Sequence, residues 1–303
     1  MTAPVKFVAS GVIPATLIAF DWDYAVDQKN SLKHLRHVAA TDGLSAITVN
    51  GHASEIHACS FAEQQDLLAL SLAEVGDRLP LVNGVYADGS HAAVDVARMA
   101  AAEGASALLV FPPNSMSMGG QLRPDMALRH FQMIAEATDL PLILFQYPQA
   151  TGLGYPLVTM QAIFDAVPSI VAIKDWCNDP MLHEKHIRNF QSRQRPVNVL
   201  TTHSSWLMAS LSMGPAGLLS GAGSVIADLQ VALARAANDR IYPLAQAFYR
   251  APFLDMHNRM KVCLQLLGRI DAAVVRPPLM PLTSAEIEEL KAALVASGLL
   301  PDA

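Results

Sequence analysis

Three cysteines in 303 residues (Cys59, Cys177 and Cys263) lie far apart and share no metal-ligand spacing. That excludes a disulfide scaffold and fits reduced, buried thiols in a cytosolic protein. Acidic and basic residues nearly balance, 27 against 21, for a net charge of −6, and no run of like charge occurs. The electrostatic footprint of a nucleic-acid partner or an anionic membrane surface is therefore missing. The apolar stretch from Phe7 to Phe20 is broken by Gly11 and Pro14 and follows no basic leader. It is too short to cross a bilayer and reads as a first strand rather than a signal sequence. There is no G-x-S-x-G elbow for a serine hydrolase. No G-x-G-x-x-G turn follows the first strand, which argues against a dinucleotide-binding open sheet.

What is present is apolar and periodic. Hydrophobic residues make up 52% of the chain, enough for one barrel-sized core or two smaller ones. Eight short apolar runs alternate with longer helix-like segments. The runs are Gly11–Leu17, Leu44–Val49, Leu79–Val85, Ala107–Phe111, Leu140–Tyr147, Ile170–Lys174, Val197–Thr201 and Ala216–Ser220. Ser60-Phe61-Ala62-Glu63 is a capping box that opens a helix to about Val75, and Ser90–Glu103 and Met126–Ala137 carry helical spacing. A loose repeat recurs at Gly43-Leu44-Ser45, Gly104-Ala105-Ser106 and Gly214-Pro215-Ala216, each a glycine helix stop followed by small residues and a strand. Eight βα units predict a (β/α)8 TIM barrel over residues 1–228. Residues 229–303 read as a C-terminal helical extension, with Ala232–Gly268 and Thr283–Ser297 helical around Arg276-Pro277-Pro278.

In such a barrel the chemistry belongs at the carboxyl ends of the strands. The sixth run, Ser169-Ile170-Val171-Ala172-Ile173-Lys174-Asp175, reads as a fully buried parallel strand ending in a lysine. Desolvation lowers a lysine's pKa and leaves the free amine that attacks a carbonyl. The plain alternative is a solvated lysine just past the strand. After the second strand, Gly51, His52, Ala53, Ser54 and Glu55 form a small-residue loop suited to a carboxylate. Phe145 and Tyr147 share one face of the fifth strand by alternation, and Ser220 and Gly221 end the eighth. His183-Glu184-Lys185-His186 is not H-E-x-x-H and reads as a solvated helix face, so no metal is expected. His203-Ser204-Ser205 is a candidate pocket wall and helix cap.

These residues resemble the dihydrodipicolinate synthase and N-acetylneuraminate lyase family of Schiff-base pyruvate lyases. The likeness rests on Gly11-Val12-Ile13-Pro14-Ala15, Gly51 with Glu55, Pro148 with Thr151-Gly152, Ile173-Lys174-Asp175 and Val275-Arg276-Pro277-Pro278. It implies a class I aldolase barrel without cofactor or metal, usually a homotetramer, in which Lys174 forms an imine with a small 2-keto acid. The departures are as informative. The family's strand 5 phenol falls at Phe145, its tyrosine pair after strand 4 at Pro113 and Asn114, and its arginine for the synthase's second substrate at Ala150. Tyr147 is the replacement proton carrier to expect, with His52 or Ser54 as other sources; Glu55 is expected to brace its loop. The implied activity is aldol cleavage or dehydration of a 2-keto acid, pyruvate-related or a 2-keto-3-deoxy sugar acid. The alternative is an altered barrel that binds a keto acid without turnover.

Overall fold

The computed structural model describes residues 6–233 and 238–301. Eight parallel strands alternate with helices: β1 (Gly11–Pro14), β2 (Ile47–Val49), β3 (Leu81–Val85), β4 (Ala107–Val110), β5 (Leu142–Gln146), β6 (Ile170–Asp175), β7 (Asn198–Thr201) and β8 (Gly217–Ser220). β1 pairs with β8, and pairing runs from there through β7, β6, β5, β4 and β3 to β2. The ring closes where Val12 bridges Leu44 and Ala15 bridges Thr48. This is the expected TIM barrel. Nearly every strand residue is buried, which is why the strands appear in the sequence as unbroken apolar runs.

The helices of the βα units are α1 (Gln28–Ala39), α2 (Phe61–Val75), α3 (Ser90–Glu103), α4 (Pro124–Ala137), α5 (Leu157–Ala166), α6 (Pro180–Phe190), α7 (Leu207–Ser212) and α8 (Gly223–Leu233). Ser60 caps α2 as predicted: its hydroxyl accepts from the Glu63 N–H while Glu63 reaches back to the Ser60 N–H. α4 begins two residues earlier than Met126, because Pro124 sits in the first turn, where its missing N–H costs nothing. Gly43, Gly104 and Gly214 all take positive φ (92°, 103° and 88°), but only Gly104, which caps α3, and Gly214, which follows the Met213 cap of α7, stop a helix; α1 ends at the right-handed cap Ala40, and Gly43 lies in the turn beyond it.

The helical C-terminal stretch resolves into α9 (Asn238–Tyr249), α10 (Met256–Leu266) and α11 (Ser284–Ala296). Pro252 falls in the break between α9 and α10. α11 starts with a second capping box, Thr283 with Glu286. α9 and α10 pack against α8 and bring side chains to the barrel mouth. All three cysteines are free and buried, and among the described residues no helix is long and apolar enough to cross a membrane.

Candidate active site

β6 carries Lys174 to the carboxyl end of the barrel, level with Phe145 on β5 and Leu200 on β7. The residue is 3% exposed, and its Nζ stands 4.0 Å from the centroid of the Phe145 ring. Among the described residues no carboxylate pairs with it. Burial therefore acts unopposed and lowers its pKa from 10.5 to about 7.

The cavity around the amine is bounded by His52 and Ala53 from the β2 loop, Phe145, Trp176, Thr202 and Gly221, with Tyr249 and Met256 entering from the C-terminal helices. The β2 loop is held in place by a chain of contacts. Asn50, at a φ of 51°, gives its side-chain N–H groups to the Gln64 carbonyl (2.8 Å) and to Asn83 Oδ1 (2.9 Å). Its own carbonyl lies so close to Gly84 that a Cβ there would sit 1.8 Å away, so β3 needs glycine at that point. Glu55, in the left-handed region, forms a fully buried ion pair with Lys261 of α10. Lys261 also donates to the Val274 carbonyl at 2.8 Å. Arg276 donates to the Tyr24 carbonyl (2.7 Å), to Ala58 O and to Glu63 (2.7 Å). The Arg276 hydrogen bond is the main reason the Glu63 pKa falls to about 2. Glu55 thus braces the loop, and the Val275–Pro278 segment fastens it to the extension.

The predicted site residues divide. His52, Ala53, Phe145, Lys174 and Gly221 meet in one cavity. The His52 ring lies 6.2 Å from Phe145 and 5.0 Å from His257 on α10. Burial first, then His257 and Lys174, keep its pKa well below the usual imidazole value. His257 is likewise held neutral, at about 3, chiefly by burial. Gly51 and Ser54 turn inward instead: the Gly51 N–H donates to Ser54 Oγ (3.1 Å), and that hydroxyl donates to the Thr16 carbonyl (2.6 Å). Neither lines the cavity. Tyr147 follows β5, its ring 4.5 Å from Phe145 and 5.5 Å from Trp176, behind the immediate lining. Burial pushes its phenol pKa up. The Ser220 hydroxyl contacts Ser204 Oγ (3.0 Å) and accepts from Gln230 (3.2 Å).

The sequence reading overlooked Trp176, Thr202, Tyr249 and Met256. The first two follow β6 and β7 directly, and strand order alone marks them. Tyr249 and Met256 come from beyond the barrel with no local signal. The Tyr249 phenol is raised by burial, with Ser204, Ser220 and the Ala222 backbone as its hydrogen-bonding partners.

The reading of His183 and His186 as a solvated face is overturned. Alternation sends Asp175 to the face opposite Lys174, and both imidazoles are completely buried against it. Their Nδ1 atoms lie 2.7 and 2.8 Å from Asp175 Oδ2. Burial alone would raise that carboxyl, but His186 and His183 hold it well below the usual range. The segment's own sequence does not show this burial, because the buried carboxylate that demands polar partners on an inward face belongs to β6. Asp175, Cys177, His183 and His203 also offer donor atoms within 4.8 Å of one another, a set of the kind that zinc accepts. Asp175 Oδ2 is engaged by two imidazole N–H groups and Cys177 Sγ lies 3.8 Å from His203 Nε2, while the buried His203 Nδ1 has no hydrogen-bond partner among the described residues.

The profile of the dihydrodipicolinate synthetase family matches residues 8–297. The chain belongs to this family. An uncharacterized DapA-like lyase of Halobacterium salinarum is 28% identical, the match covering 96% of this chain and 94% of that one. The 4-hydroxy-tetrahydrodipicolinate synthase of Persephonella marina is 26% identical over 96% of this chain and 99% of its own length. Among solved structures, YagE of E. coli K12, in complex with pyruvate, superposes with a TM-score of 0.85 at 20% identity, covering 97% of this chain and 100% of that one. The Thermotoga maritima dihydrodipicolinate synthase gives 0.86 at 21%, over 96% and 99%. Membership of the dihydrodipicolinate synthetase family makes this a lyase-type barrel. At these identities the solved structures speak to fold alone.

Proposed function

We propose that the chain is a Schiff-base lyase acting on a 2-keto acid, with Lys174 as the nucleophile. The observation that carries this reading is a lysine at the end of β6, 3% exposed, free of any carboxylate partner among the described residues, with its pKa lowered to about 7. Its unprotonated Nζ adds to the keto carbon, a proton is taken up on the carbinol oxygen, and water leaves, giving an iminium. The positive nitrogen then accepts the electrons of a breaking bond. In aldol cleavage these come from a carbon–carbon bond. In dehydration they come first from a C–H bond, and the resulting enamine expels a β-hydroxyl. Both routes require a proton carrier near the imine. Tyr147 and His52 are the groups we assign to that role. The pyruvate bound by YagE supports the choice of ligand class.

Condensation of pyruvate with aspartate semialdehyde is not the activity we assign. Phe145 occupies the strand position of the family's phenol and stacks on the lysine instead of exchanging a proton. Ala150, on an exposed turn, offers nothing to a second carboxylate. The same stacking favours a second reading, a barrel that binds a keto acid without turnover.

Borohydride reduction in the presence of pyruvate separates these readings from a dead site. A lactyl-sized mass on the Lys174 peptide, lost in Lys174→Ala, is the expected result for either binder or enzyme. Turnover of a 2-keto acid panel, followed as pyruvate release and water loss, then distinguishes the two. A folded protein that gains no mass refutes the imine.

A further inference from the structure

On the face of β6 away from Lys174, four donor side chains converge from separate points of the chain. Asp175 ends β6, Cys177 follows it, His183 lies in the first turn of α6 and His203 follows β7. None is more than 4% exposed, and one donor atom of each lies within 4.8 Å of every other.

Hydrogen bonds account for only part of this cluster. Asp175 is well supplied: His183 and His186 stand 2.7 and 2.8 Å from Oδ2, and the Cys177 N–H donates to Oδ1 at 3.0 Å. His203 is not. Its Nε2 faces Cys177 Sγ across 3.8 Å, a weak contact, and its Nδ1 has no partner among the described residues. The thiol's other contact is the Asp179 carbonyl at 3.3 Å. A buried imidazole normally has a proper partner. This one is aimed at a thiol, a carboxylate and a second imidazole.

The spacing fits a tetrahedral ion. With Zn–S of about 2.3 Å and Zn–N of about 2.0 Å, two ligands at the tetrahedral angle stand about 3.5 Å apart, close to the observed 3.8 Å. A thiolate and a carboxylate carry two negative charges that a divalent ion cancels, so the buried assembly is neutral. Thiolate and imidazole ligands suit zinc and disfavour magnesium or calcium, which take oxygen ligands. The surroundings also suit a metal. With zinc on Nδ1, His183 carries its hydrogen on Nε2, 2.8 Å from Ser210 Oγ, whose own hydrogen goes to Thr201 Oγ1 at 2.7 Å. His186 keeps its hydrogen bond to the Asp175 carboxylate. His203 forms part of the wall of a cavity of about 350 Å³, which gives an ion a way in.

We infer that Asp175, Cys177, His183 and His203 form a structural zinc site that ties the carboxyl ends of β6 and β7 to α6. All four positions are filled by protein, so the ion holds the fold and takes no substrate. Binding releases the Cys177 thiol proton to solvent, and the His183 hydrogen moves from Nδ1 to Nε2. The site is independent of the imine at Lys174.

The test uses the purified chain, stripped with a chelator and reloaded with zinc alone or cobalt alone. Bound metal is counted by elemental mass spectrometry after dialysis, and melting is followed with and without zinc. The chain should retain a single zinc and melt roughly 5 °C or more higher with it. The cobalt form should show a thiolate-to-metal charge-transfer band in the near ultraviolet and the visible bands of a tetrahedral ion. Cys177→Ala and His203→Ala should each lose the zinc and the thermal shift, and Cys177→Ala the charge-transfer band. Cys59→Ala should keep all three. Circular dichroism of the metal-free variants reports that each is folded, and the cobalt spectrum of the parent reports thiolate ligation without any substitution. Zinc lost on dialysis with no rise in melting temperature, a cobalt spectrum without the thiolate band, a band that disappears with Cys59 instead, or zinc kept by both Cys177→Ala and His203→Ala overturns the site.

Discussion

The lowered pKa of Lys174 predicts the pH dependence of imine formation. With a pKa of about 7 the amine is roughly half unprotonated at pH 7, whereas a lysine at 10.5 would be unprotonated to about 3 parts in 10⁴. The buried site therefore gains on the order of 10³ in free amine at neutral pH. The initial rate of cyanoborohydride trapping with pyruvate should rise about tenfold per pH unit below the pKa and level off above about pH 8. His52 and His257, the titratable neighbours that face the amine, are held neutral across this range and add no second step. The same shift appears in stability. The folded pKa lies below the unfolded one, so between about pH 7 and 10.5 the unfolded chain binds more protons and stability rises with pH. Below pH 7 the cost of burying the ammonium is fully present, on the order of 5 kcal/mol for a fall from 10.5 to about 7. Lys174→Met, which keeps the apolar volume, should therefore abolish trapping yet resist urea better at pH 6 than the parent, with the gap closing toward pH 10. A trapping midpoint above about pH 9, or a Lys174→Met variant less stable at pH 6, refutes the claim that burial tunes this amine.

Two further outcomes follow from the site. Tyr147→Phe should lower turnover on the true substrate by roughly 10²-fold or more, while pyruvate imine still forms; unchanged turnover would move the proton transfer to His52 or to water. Glu55→Gln should destabilise the fold by about 3–5 kcal/mol in urea melts, because Lys261 would remain buried without its carboxylate, and adding Lys261→Met should recover most of the loss. A loss under about 1 kcal/mol would mean that water reaches the pair.

The barrel, its eight strands and the position of Lys174 were legible because each rests on local pattern. A parallel strand covered on both faces must be a short apolar run, and a barrel's chemistry sits where such runs end. The Ser60 and Gly104 helix signals were legible for the same reason, since caps and left-handed stops are satisfied within a few residues. Phe145 was placed near the amine by alternation along β5, and His52 by following the chain a few positions past β2. Ser54 was not, because whether a hydroxyl faces a cavity or the Thr16 carbonyl depends on the loop's path and not on its composition. His183 and His186 were misread because the carboxylate that draws them inward, Asp175, belongs to a different element. Tyr249, Met256, His257 and Lys261 reach the mouth from helices tens of residues beyond the last strand. Periodicity says that such helices have a buried face, but it carries no information about which distant surface that face will meet. Only the packing of α9 and α10 on the barrel brought those side chains to Lys174 and to the β2 loop.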